Sequence, residues 1–135
     1  IMVSDFYAMP GMIEQDIKTQ FSVPQVGLRL WGVATEYSGL TAAAEVSEDA
    51  RVFASSLMEP FCGLNTGFEA VTWLEDPSTV TSLALIPLRG GAPASPAFGL
   101  LVLASPDPQR FHSGMGTDFL ARIGELVSAA LSRLK

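Results

Sequence analysis

One histidine and one cysteine are the strongest candidates for chemistry in this chain. His112 lies in the stretch Arg110–Leu120, RFHSGMGTDFL, beside the pair Gly114 and Gly116 and the hydroxyl of Thr117. A phosphate-cradling loop of the Walker type would need a lysine after its second glycine to neutralise the phosphates, and none is there. A dinucleotide fingerprint would need a third glycine and a following strand. A metal shell built on one His and one Cys would depend on carboxylates for the rest. A Cys62–His112 nucleophilic pair is compatible with the spacing, because such partners meet only in the fold. Against it, Phe61 and Leu64 flank Cys62 with apolar surface, and no adjacent base lowers the thiol pKa. RFHSGMGTDFL therefore reads as the turn leading into the last helix, with Thr117 as its cap and Asp118 favouring its N-terminal dipole.

The elements that would position these residues follow from hydrophobic period. Met12, Ile13, Ile17 and Phe21 repeat at helical spacing after Pro10-Gly11, giving a first helix within residues 1–22 that Pro24 limits. In QVGLRLWGV, Val26, Leu28 and Leu30 alternate with Gly27, Arg29 and Trp31, the period of a strand with one face in the core. A weaker strand is expected over Val33–Tyr37. Ser47 with Glu48 and Asp49 predicts an N-cap and a helix over 48–58. FEAVTWL is a short strand candidate. VTSLALIPL and FGLLVLAS are apolar on both faces, as strands covered from two sides must be, and RGGAPASPA between them is a hairpin loop. Over 117–135, Leu120, Ile123, Val127, Ala130 and Leu134 form a seam on a terminal helix. Phe119, Leu126 and Leu131 widen the stripe, so part of this helix should pack on the sheet.

Composition narrows the function. The 135 residues fit one domain and are enough to bury a self-sufficient core. With 48% hydrophobic and 16% charged residues, disorder is excluded. Eight Lys plus Arg stand against 14 Asp plus Glu, a net charge of −6. Eight of the acids fall between Glu36 and Asp76, where Arg51 is the one base, a surface that repels nucleic acid and anionic membrane alike. One cysteine allows no internal disulfide and fits a reducing cytoplasm. The start IMVSDFYAMPG lacks the basic region and apolar core of a signal peptide, and without an initiator Met it reads as the start of a fragment that lacks an N-terminal segment.

The combination of VGLRLWG, FCGLN, TSLALIPL and FGLLVLASPDPQRFHSGMGTDFLARIGELVSAAL resembles the GAF-like bacterial family catalogued as domain of unknown function 484. The resemblance runs from Met12 to Leu134. It implies an α+β fold in α/β/α layers, with a central antiparallel sheet of five to six strands in an order near 2-1-5-4-3. It implies no established activity. GAF domains in general hold small ligands between the sheet and the segments covering one face. Methionine-sulfoxide reductases of this fold use several cysteines, and this chain has Cys62 alone.

By elimination the chain reads as a non-catalytic sensory or regulatory domain that binds a small molecule and forms a homodimer. No catalytic residue, metal or particular cofactor is implied. The pocket candidates are Trp73, Ser82, Arg89 and Ser105, with Phe61, Cys62 and Leu64 on the lid side. The dimer candidates are the seam Leu120, Ile123, Val127, Ala130 and Leu134; the competing explanation is that the domain's own sheet buries the whole stripe. A protein-interaction scaffold with a collapsed pocket is the alternative, and a cysteine-dependent enzyme the third reading.

Overall fold

The computed structural model describes residues 8–37, 39–43, 46–90, 96–112 and 117–134. Helix α1 spans Met9–Phe21 and strand β1 Gln25–Leu30, followed by α2 (Glu48–Ser56), β2 (Phe61–Leu64), β3 (Ser82–Arg89), β4 (Ala97–Ser105) and α3 (Asp118–Leu131). Short 3-10 turns fill the connections, among them Thr35–Tyr37, Thr41–Ala43, Glu69–Trp73 and Ser132–Leu134.

The local causes are visible residue by residue. Pro10 sits in the first turn of α1, where a missing N–H costs no helical hydrogen bond. The helix therefore begins ahead of the Met12 start that its apolar spacing suggests. It ends where Ser22 turns left-handed and the Val23 amide returns to the Lys18 carbonyl, 3.2 Å away. Ser47 caps α2 as expected, its hydroxyl accepting from the Ala50 amide at 3.1 Å. Helix α2 stops at Ser56, because Leu57 is already extended.

The four strands form one antiparallel sheet in the order β1-β4-β3-β2. The expected order 2-1-5-4-3 with its second strand removed becomes 1-5-4-3, which is this sheet renumbered. The five to six strands expected are thus four among the described residues. One face carries Leu28, Leu30, Cys62, Ala84, Ile86, Leu88, Leu101 and Leu103 beneath α1 and α3. The other carries Leu83, Leu85, Leu100, Val102 and Ala104 beneath α2 and the Glu69–Trp73 turn. Every residue of β4 is buried, as its unbroken apolar run predicts. A register irregularity at Leu88/Arg89 puts Ala97 with the second face and Phe98 with the first.

Three expectations are corrected. Val33–Tyr37 forms no strand: the amides of Tyr37, Leu40 and Ala43 each bond the carbonyl three residues back, and the segment packs through Val33, Tyr37 and Leu40 on the first face. FEAVTWL is a 3-10 helix, because Phe68, Val71 and Leu74 recur every third residue and face the second core cluster together. The third strand is instead Phe61–Leu64, too short and too mixed to show a period. Thr117 offers no side-chain cap to α3; only its carbonyl joins the helix, accepting from the Ala121 amide at 2.8 Å. Residues 113–116 of the turn before it, and 91–95 of the β3–β4 hairpin loop, lie outside the described residues.

Leu120, Ile123 and Val127 of α3 and Leu134 of the 3-10 turn that follows it are buried and Ala130 is half-buried, all against the chain's own first-face core. The stripe left facing outward holds Phe119 and Leu126, 58% and 63% exposed. Gly124 lies where the helix crosses β3: a Cβ there would come within 2.7 Å of Ile86 Cγ2, so a side chain would push the helix off the sheet.

Candidate functional site

The seven pocket candidates do not converge. Ser82 and Ser105 are buried and fasten one loop: Ser82 Oγ donates to the Asp107 carbonyl at 2.6 Å and accepts from the Phe111 amide at 3.3 Å, while Ser105 Oγ accepts from the Asp107 amide at 3.1 Å. Arg89 donates to the Ser55 and Leu57 carbonyls at 2.8 and 2.6 Å, closing the C-terminal end of α2. Cys62 points into the first-face core, and burial pushes its thiol pKa up. Phe61 faces the other way, against Phe68 at a ring separation of 5.3 Å. Leu64 is 55% exposed at the end of β2. Of the seven, Trp73 alone lines the cleft along β1.

That cleft has a volume of about 300 Å³ and is lined by α1 (Gly11, Glu14, Gln15, Lys18), by β1 from Gln25 to Arg29, and by Trp73 and Glu75. Five consecutive β1 residues line it, and β1 ends the sheet order, so the cleft runs along the strand's free edge. A second strand in the order 2-1-5-4-3 would lie there. Its floor is held by two devices. Gly27 lets the Trp73–Leu74 corner close on β1: a Cβ at Gly27 would fall 2.9 Å from Leu74 Cδ2. The Gln25 amide then pairs with the backbone of Asp76 in both directions, each bond 2.9 Å, and donates to Thr79 Oγ1 at 3.0 Å.

Arg29 is the site's unusual residue. Its Nε is buried without a hydrogen-bond partner. Its guanidinium lies over the Trp73 ring at 5.4 Å and makes only a long 3.5 Å contact to the Leu28 carbonyl. Burial lowers its pKa, and Glu14 partly opposes that. Glu14 is pushed up to about 7 by burial, against the pull of Arg29 and Lys18. The two feel each other's charge, yet no ion pair joins them among the described residues. An unpaired buried donor gains a full hydrogen bond when an acceptor reaches it.

A second cleft of about 410 Å³ opens between α3 and the end of β3, beside Pro60, Ile86, Arg89, Gly124 and Ser128. Its arginine is the one committed to α2. Glu14, Lys18 and Arg29 were not legible as a site: the strand alternation puts Arg29 opposite the core residues, and the usable signal was its sharing a face with Gly27 and Trp31, small and aromatic where a solvated face would be polar. No group of His, Cys, Asp and Glu among the described residues could hold a metal ion, and no described helix is long and apolar enough to cross a membrane.

The fold has solved counterparts. A far-red cyanobacteriochrome photoreceptor is 13% identical over 97% of this chain and 88% of its own, with a TM-score of 0.60. The red/green cyanobacteriochrome NpR6012g4 in its green-light-absorbing state is 16% identical over 96% of both chains, also at 0.60. The type II free methionine-R-sulfoxide reductase from Thermoplasma acidophilum is 10% identical over 96% of both chains, at 0.52. Photoreceptors and a reductase thus share one architecture, and the likeness speaks to fold alone. No curated protein matches the chain. The family described as protein of unknown function DUF484 matches residues 4–135, and the chain belongs to that family.

Proposed function

We propose that this chain is a non-catalytic, cytoplasmic sensory or regulatory domain that binds a small molecule in the cleft along β1. The buried, partnerless Nε of Arg29 carries the reading. Leaving such a donor unsatisfied costs about 1–3 kcal/mol, which a ligand acceptor would recover. The reactive side chains support a non-catalytic role: Cys62 is buried with its pKa raised, and His112 stands exposed after the Asp107–Phe111 turn. Self-association belongs to the same proposal. On α3 it falls to Phe119 and Leu126, because the seam residues are spent on the sheet and these two remain exposed.

The test is a thermal-shift screen of small metabolites on the wild-type chain and on Arg29→Met, with native mass spectrometry for co-purifying compounds. A ligand that binds only the folded state raises stability by RT ln(1 + [L]/Kd). A saturable shift in the wild type that Arg29→Met abolishes supports the reading; a screen without a shift sinks it.

One observation favours the scaffold reading. The space between the sheet and α2 is occupied by Phe53, Leu57, Phe61, Phe68, Val71 and Leu74 packed on Leu83, Leu85, Leu100 and Val102. That is a closed apolar layer where a ligand between sheet and cover would sit.

A further inference from the structure

The free polar groups of the β1 cleft are few. Gln25 is used at both ends by Asp76 and Thr79, and Gln15 donates to Thr19 Oγ1 at 3.2 Å. What remains is Arg29 and Lys18 against Glu14 and Glu75, two positive and two negative charges around one small volume. A plain anion on Arg29 would sit in the repulsive field of Glu14 and Glu75. A plain cation on Glu14 would leave Arg29 Nε unsatisfied and meet Lys18. Opposite charges that face one cavity without joining are complementary to a molecule with the reverse arrangement, an acceptor at one end and a donor at the other.

We infer that the cleft is a receptor for a small zwitterion, whose carboxylate takes the fork of Arg29 and whose ammonium lies toward Glu14. This rests on the small-molecule reading above and gives it a ligand class. The volume of about 300 Å³ is at the small end for binding sites, which fits a compound of a few heavy atoms with its short carbon chain against Trp73. The planar guanidinium, already held over the indole, loses little freedom when a carboxylate docks on it in bidentate fashion. The ammonium end is sensitive to pH, because Glu14 must be ionised to receive it. Glu14 is faced by Lys18 on its own helix, by Arg29 from β1, and by Glu75 across the cleft.

The experiment is isothermal titration calorimetry of the wild-type chain at pH 8 with glycine, β-alanine and γ-aminobutyrate, which lengthen the gap between the charges one carbon at a time. Acetate, propionate and methylammonium serve as the separate halves. One zwitterion length should bind at least roughly tenfold more tightly than either half, the scale of one charge-assisted contact. Arg29→Met should remove that binding, Arg29→Lys should keep part of it, and urea unfolding of both variants confirms that they are folded. Glu14→Gln should weaken the zwitterion and flatten the rise in affinity between pH 6 and pH 8. If the carboxylates bind as well as the zwitterions, the zwitterion is overturned and the small-molecule site survives. An unrelated co-purifying compound, or an extended peptide, that depends on Arg29 overturns it in the same way. If no probe binds and nothing co-purifies or shifts stability, both readings fall.

Discussion

Arg89 and Arg29 are the same residue in the same sheet with opposite circumstances. Arg89, at the end of β3, reaches the last turn of α2 and donates to two carbonyls that the helix leaves without partners. Arg110 does the same for α1, donating to the Phe21 carbonyl at 2.6 Å. Arg29 donates to no helix-end carbonyl among the described residues; its guanidinium lies on Trp73 and its Nε is buried without an acceptor. The difference teaches that a half-buried arginine becomes a site through what its neighbours leave undone. Arg89 completes the fold, and Arg29 is left with an unsatisfied donor.

The largest expected effect is at Arg89. Arg89→Met removes two charge-assisted hydrogen bonds and strands the Ser55 and Leu57 carbonyls, so stability should fall by about 3 kcal/mol. Urea denaturation measures it. A loss under about 1 kcal/mol would mean that water serves those carbonyls equally well and would break the contrast with Arg29.

The same contrast explains what the sequence made legible. Apolar runs, strand alternation and helical seams identified α1, α3, β1, β3 and β4, and the Ser47 cap identified α2, because burial writes a period into segments of six or more residues. Short segments failed. Phe61–Leu64 is a strand by virtue of pairing with β3, a tertiary fact. The 3-10 turn at Glu69–Trp73 shows its spacing of three in Phe68, Val71 and Leu74 once the strand alternative is dropped. Of the candidate site, Trp73 was legible and Arg29 was not, since nothing local distinguishes an arginine that meets a helix end from one that does not. The partners of Arg89 lie 32 and 34 residues away in the chain. The seam on α3 was legible as apolar. Which partner buries it depended on how closely Gly124 brings the helix to Ile86.

An intermediate effect belongs to Glu14, the carboxyl across the cleft from Arg29. Burial raises its pKa from the ordinary 4.5 to about 7, so the folded state binds its proton more tightly than the unfolded chain does. That contribution is fully present below about pH 4.5 and is lost as pH rises through 7. Glu14→Gln removes the dependence. The variant should match the parent at pH 4 and exceed it at pH 8 by about 1 kcal/mol, well under the full linkage value because the site is partly screened by solvent. Thermal unfolding of both proteins at the two pH values checks it. Equal stability at pH 8 would mean that Glu14 is solvated, and the cleft would lose its negative wall.

The smallest effect is expected where the contrast is sharpest. Arg29→Met gives up the cation–π contact with Trp73, worth about 0.5–1 kcal/mol, and the attraction of Glu14. It also removes a buried donor whose lack of a partner costs a comparable amount, and keeps an unbranched chain against the indole. The terms oppose each other, so the unliganded stability at neutral pH should change by no more than about 0.5 kcal/mol. Glu14 provides an independent reading of the same substitution. Arg29 holds the Glu14 pKa down against burial, so it should climb further above 7 in the variant, as a carbon-detected titration of the carboxyl would show. A stability loss equal to that of Arg89→Met would make Arg29 a structural residue with a partner of its own. Unchanged stability with a higher Glu14 pKa would show that its charge acts on the cleft while the fold does not depend on it.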